Sequence, residues 1–229
     1  MAPDPPSDAI VDAARSGTFN LPPSMTKKRT GPMTAEELLR ELEADPEWVA
    51  ARDKREQELL RRQAELRLVE APLLEALRAA GHPVGSVWDL VNTAAPYPSA
   101  LPILLDHFTR PYPAVIREGI ARALAVREAR FAWATLKQHY LDERDEAPKD
   151  GLAAALSAIA DARLVPDVIA LVRDVRNGTS RVLLLRALTR SKDRKAHDAI
   201  RELATDPDLE KEIAVILRRK DRRRSSTSP

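Results

Sequence analysis

Cysteine is absent from the 229 residues. That excludes disulfide frameworks, thiolate zinc sites and cysteine nucleophiles. Glycine occurs only seven times, and aromatic residues make up 4%. A β-sandwich or barrel needs aromatic and β-branched strands with glycine-rich turns, so the composition argues against both. No apolar run approaches the roughly 20 residues of a membrane span. No segment has the basic n-region and apolar h-region of a secretory signal. The expected location is therefore cytoplasmic, with no membrane partner. Charge of one sign does not dominate either: Lys+Arg is 37 and Asp+Glu is 35, a formal charge of +2.

That small sum hides an uneven distribution. Residues 218–224 read Arg-Arg-Lys-Asp-Arg-Arg-Arg and carry +5, and residues 1–33 carry +1. Residues 34–217 are left with −4. A mildly acidic body with a basic tail is not the footprint of a body-wide nucleic-acid binder. Arg outnumbers Lys 28 to 9, a usage that suits a GC-rich bacterial genome.

The motifs of small-molecule chemistry are also missing. There is no Gly-x-x-x-x-Gly-Lys-Ser/Thr, no Gly-x-Gly-x-x-Gly, no His-Glu-x-x-His and no Gly-x-Ser-x-Gly. No cofactor and no catalytic set is expected. His139 with Asp142, Asp145 and Glu146 offers at most an oxygen-rich cation site near a helix end, and solvated surface acids are the simpler reading.

What is present is punctuation. Prolines at 3, 5, 6, 22, 23 and 32 predict a disordered leader over 1–33. Thr34-Ala-Glu-Glu37 is a capping box ahead of Leu38, Leu39 and Leu42. Pro46 opens a second helix expected to reach about Glu70. Residues 34–80 thus read as an N-terminal helical arm or cap. Leu59, Leu66 and Leu73 recur every seven residues, a seam too short for a coiled coil. From Pro72 onward the pattern predicts helices of about 10–17 residues. Their breaks fall at Gly81-His-Pro83, Pro96-Tyr-Pro98, Pro111-Tyr-Pro113, Pro148, Asn177-Gly178 and Asp206-Pro207.

The helices resemble one another. Ile116-Arg-Glu-Gly-Ile-Ala-Arg-Ala-Leu124 aligns with Pro148-Lys-Asp-Gly-Leu-Ala-Ala-Ala-Leu156 and with Ser180-Arg-Val-Leu-Leu-Leu-Arg-Ala-Leu188. Ala123, Ala155 and Ala187 lie 32 apart, as do Leu124, Leu156 and Leu188. Glu210–Leu217 is a looser fourth copy. A second apolar helix follows each of the first three copies. One such hairpin cannot bury its own apolar face, so neighbours must stack.

This pattern resembles HEAT-type helical repeats over roughly 83–219. In them an apolar residue followed by Arg opens the second helix, as at Ile116-Arg117 and, less closely, Ser180-Arg181; Pro148-Lys149 departs from it. The resemblance implies an all-α, right-handed α-solenoid of HEAT-like hairpins over 81–219, followed by a basic flexible tail at 220–229. It also implies a non-enzymatic protein-binding scaffold or adaptor that presents a concave surface. Arg117, Glu118, Arg122, Arg181 and Arg186 are the expected partner-binding residues. Arg117, Lys149 and Arg181 form one column at the repeat spacing: either a ladder for an acidic partner, or structural residues that each bond the turn of a neighbouring repeat. Arg122 and Arg186 form a second column, interrupted at Ala154.

Two alternatives use nucleic acid. The tail Arg218–Arg224 offers nonspecific phosphate contacts. The chain also resembles the HEAT-like alkylpurine DNA glycosylases in length and in Trp88-Asp-Leu-Val-Asn92, but Asn92 stands where that family carries its catalytic Asp. A third rival is a structural dimer built through 46–80. Trp88 and Trp133 are expected in the core, and Tyr97 and Tyr112 at one common end of the stack, in rigid turns or as a contact edge.

Overall fold

The computed structural model describes residues 34–225. The expected leader at 1–33 and the last four residues of the tail lie outside the described residues. The described residues form eleven α-helices joined by short 3-10 turns, with no strand among them. The protein is all-α. Contacts divide the described residues into two units, with the boundary between Gln63 and Ala64.

In the first unit, α1 spans Ala35–Glu43. The capping box is formed: Glu37 N donates to Thr34 Oγ1 at 3.2 Å, and Thr34 N donates to the Glu37 carboxylate at 3.0 Å. Leu42 is buried. The next helix, α2, is Pro46–Ala79. Over its first half Arg52 lies above the Trp48 ring at 5.5 Å, and Leu59 and Leu60 are more than half exposed.

The unit boundary falls inside α2 because the helix changes character. From residue 64 it buries Glu70, Leu73 and Leu77. It also runs on through Pro72, where a helix start was expected. Proline removes one helical N–H and crowds the carbonyl four residues back. That carbonyl belongs to Leu68, whose residue is 78% exposed, so water can satisfy it. The heptad seam is divided accordingly, with Leu59 exposed and Leu73 buried.

Ten of the helices contribute to the second unit, counting the latter part of α2. They are α3 (Trp88–Asn92), α4 (Leu101–Phe108), α5 (Ala114–Ala123), α6 (Trp133–Asp142), α7 (Glu146–Ile159), α8 (Val165–Arg173), α9 (Arg181–Arg190), α10 (Arg194–Glu202) and α11 (Glu210–Ser225). Glu70 on α2 is 5% exposed and accepts from Val87 N at 2.7 Å and from Ser86 Oγ at 3.1 Å, fixing the entry to α3. Gly81, at φ 88°, turns the chain out of α2 in a conformation closed to most side chains.

Packing follows chain order. Helix α5 lies against α7, α7 against α9 and α9 against α11, while α4, α6, α8 and α10 flank them. The repeat residues form that contact line. Leu124, Leu156 and Leu188 are fully buried, each worth about 2 kcal/mol of burial. Ala123 and Ala155 are equally buried. Gly151 allows a close approach: a Cβ there would stand 2.8 Å from Ala121 Cβ and 3.0 Å from the Glu118 carbonyl. Gly119, one repeat earlier, accepts Val87 and Trp88 in the same way.

Two local expectations need correction. Pro148 sits in the first turn of α7, not in the break before it, because early helical N–H groups have no intrahelical partner to lose. The basic run 218–224 continues α11 through Ser225. Arg and Lys are good helix formers, and positive charge suits a helix C-terminus. Tyr97 and Tyr112 flank opposite ends of α4, because a single helix separates them and returning to the same end takes two. Both hydroxyls are used internally: Tyr97 donates to the Ala123 carbonyl at 2.9 Å, and Tyr112 bonds His107 Nδ1 at 2.8 Å.

Candidate functional site

The three repeat helices α5, α7 and α9 carry both charged columns. In the first column the side chains turn to the loops. Arg181 is 1% exposed, and its guanidinium is fully engaged. It donates to Asp206 at 2.7 Å, Asp208 at 2.7 Å, the Gly178 carbonyl at 2.9 Å and the Val172 carbonyl at 3.2 Å. Burial opposes the charge on Arg181, but Asp206 and Asp208 outweigh burial and raise its pKa. The bond from Arg181 holds the Asp206 carboxyl below its usual range, helped by the backbone N–H groups of Asp208 and Leu209.

Arg117 does the same work two repeats earlier. It pairs with Glu143 and lies 3.6 Å from Asp145, both in the turn between α6 and α7. Burial pushes the Glu143 carboxyl up, but the Arg117 bond and the N–H groups of Asp145 and Arg144 prevail and leave it low. Lys149 lies between the two arginines and differs. Its ammonium sits 5.1 Å over the Tyr140 ring and 3.4 Å from the Glu143 carbonyl.

Two members of the second column line a groove. Arg122 and Ala154 line a cavity of about 580 Å³ with Leu90, Tyr97, Val126 and Glu128. Arg122 Nε donates to Glu118 Oε1 at 2.7 Å across one helical turn. Arg186 is exposed and forms no ion pair with any described residue. Ala154 leaves a gap between these two arginines, and it is half-buried.

The five residues singled out from the sequence therefore divide. Arg122 lines the groove, Arg186 is exposed and Glu118 is half-buried against Arg122, whereas Arg181 is enclosed and Arg117 is spent on a neighbouring turn. Sequence spacing placed Arg117 and Arg181 in one column but did not supply their partners, since Glu143, Asp145, Asp206 and Asp208 obey no strict repeat. It also passed over Arg127 and Arg190, which lie outside the aligned segments. Burial is the main cause that disfavours the charge on Arg190, and the charges of Arg186 and Arg127 add to it.

Around Trp88 the geometry is that of packing. Its Nε1 would lie 3.0 Å from a Cβ at Gly119. Asp89 accepts from Gly85 N at 2.8 Å and Ser86 N at 3.1 Å, so its carboxylate holds a turn. His139 meets Phe108 edge-on at 5.2 Å, and Asp142 accepts from Gln138. Among the described residues no three His, Asp or Glu side chains converge as metal ligands. No described helix is long and apolar enough to cross a membrane. Comparison with known families, curated proteins and solved structures finds no match to this chain.

Proposed function

We propose that residues 81–219 form a HEAT-like right-handed solenoid that acts as a non-enzymatic protein-binding scaffold. A partner docks along the face bearing Glu118, Arg122 and Arg186. Arg117 and Arg181 serve that face indirectly, by fixing the helices that present it. The observation that carries this reading is the neighbour-to-neighbour packing of α5, α7 and α9, with an open groove running past Arg122 and Ala154. Stacked hairpins favour extended surfaces over deep pockets. The test is a photo-crosslinking residue at position 154, with and without Arg122→Glu and Arg186→Glu. A specific partner band lost on charge reversal is the expected result. Crosslinking indifferent to both reversals sinks the proposal.

A second reading has its own observation: α11 extends through the basic run 218–224 as a helix. That suits nonspecific phosphate contacts. Duplex DNA and single-stranded RNA titrated across a salt series, against a chain ending at Leu217, decide it. Steeply salt-sensitive binding that disappears with the truncation favours this reading.

A further inference from the structure

A second groove lies beyond the first, bordered by α7, α8 and α9, with a volume of about 500 Å³. Its apolar wall comes from Ala160, Val165, Val168, Ala187 and Leu188. Its polar lining is basic: Arg127, Arg190 and Lys192, all on exposed residues. One carboxylate reaches the groove, Asp161, and it is already engaged. It accepts from Arg163 N at 2.9 Å, pairs with the Arg163 guanidinium at 3.2 Å and lies 3.6 Å from Arg130.

The lining cations are left without acids. Neither Arg127, Arg190 nor Lys192 forms an ion pair with a described residue, whereas Arg117, Arg122, Arg173, Arg176 and Arg181 all do. In a body of net −4, carboxylates are not scarce, so the omission is local. Arg190 is also pre-oriented: Nη2 donates to the Ser157 carbonyl at 2.6 Å, which holds one side of the guanidinium fork and leaves the other free. Arg186 and Arg127 both repel its charge, a cost that an incoming anion relieves.

We propose that this groove receives an acidic segment of a partner protein, with Arg127, Arg190 and Lys192 holding its carboxylates and Val165, Val168 and Leu188 contacting its apolar side chains. The proposal rests on the protein-binding reading above and names the chemistry of the partner. A guanidinium fork matches a carboxylate in two parallel bonds. An apolar wall beside a basic lining suits a segment that alternates acidic and aliphatic residues. Single-stranded nucleic acid is disfavoured because no aromatic side chain lines the groove to stack a base.

The test uses the full chain and three fluorescent probes: a short peptide alternating Glu and Leu, the same peptide with Gln for Glu, and a thymidine oligonucleotide of matching charge. Anisotropy titrations compare the parent with Arg127→Gln, Lys192→Gln and Arg190→Gln. The first two substitutions remove no recorded hydrogen bond, so they separate lost binding from lost folding. The expected result is binding of the acidic peptide alone, weakened about tenfold by each substitution. Failure of the acidic peptide to bind, or binding unchanged in all three variants, overturns the proposal. So does preferential oligonucleotide binding that the same substitutions abolish, which reassigns the groove to nucleic acid. If the peptide ignores the groove while crosslinking at position 154 persists, the acidic-segment proposal falls and the scaffold reading stands. Loss of the 154 crosslink with peptide binding intact is the reverse outcome and supports the groove.

Discussion

Two arginine columns run along the same three helices, five residues apart, and they end up in opposite environments. The column of Arg117, Lys149 and Arg181 turns into the loops. Its arginines meet carboxylates, most completely at Arg181, which is 1% exposed with two aspartates against it. In the column of Arg122, Ala154 and Arg186 the first two border a groove and Arg186 is exposed, with only Arg122 paired, and that to a residue on its own helix. A helical step of five residues rotates the side chain by roughly 140° at 3.6 residues per turn. That rotation, not residue type, separates an arginine that fastens loops from one that meets solvent.

The sharpest test of this contrast is Arg181→Ala. It leaves Asp206 and Asp208 unpaired and removes one side-chain donor from each of the Gly178 and Val172 carbonyls. Breaking an ion pair from its buried side costs about 3 kcal/mol here, at the lower end of the usual range because Asp208 is 44% exposed and can be re-solvated. Urea denaturation should show this as a lower midpoint at unchanged slope. Arg181→Lys should recover only part of it, since an ammonium lacks the fork. A loss under 1 kcal/mol would erase the distinction between the columns.

Acid should expose the same pair. Asp206 and Glu143 have carboxyls held low in the folded chain. A lowered folded pKa adds stability above the unfolded value, near 4, and that contribution fades as pH falls through the folded value. Denaturation midpoints measured at pH 7, 4 and 3 should therefore drop in the parent. The drop should be shallower in Arg181→Ala, which has already lost the Asp206 pairing.

Arg117→Ala should cost about 1 kcal/mol. Its side chain is 22% exposed and Asp145 is 58% exposed, so screening reduces the pair. An effect equal to that of Arg181→Ala would show that burial does not grade the column. Smallest of all, Arg186→Ala should change stability by no more than about 0.5 kcal/mol, as expected for an exposed residue without a partner. A larger loss would mean that the groove column is structural as well.

Much of the helical layout was legible in the residues. Thr34 and Glu37 predicted the cap that forms, and the 32-residue recurrence of Ala and Leu predicted the buried line through α5, α7 and α9. Two misreadings came from prolines. Pro72 reads as a helix start, but the burial of Leu73 and Leu77 on one side and solvent at Leu68 on the other let α2 pass through it. Pro148 reads as a break, but it falls in a first turn where its missing N–H costs nothing. Half of the candidate surface was visible as well: Arg122 and Arg186 stand at repeat positions. Arg127, Arg190 and Lys192 do not, because a groove between helices collects side chains from a turn, a helix end and a loop with no common spacing.

Composition and periodicity on their own determined that this protein is all-α and that leucine and alanine at a fixed step would lie between helices, because burial of a helical face depends on spacing within one segment. Which arginines would meet a carboxylate was settled only by the tertiary structure. An ion pair depends on distance in space, and the partners of Arg181 lie 25 and 27 residues away in the chain.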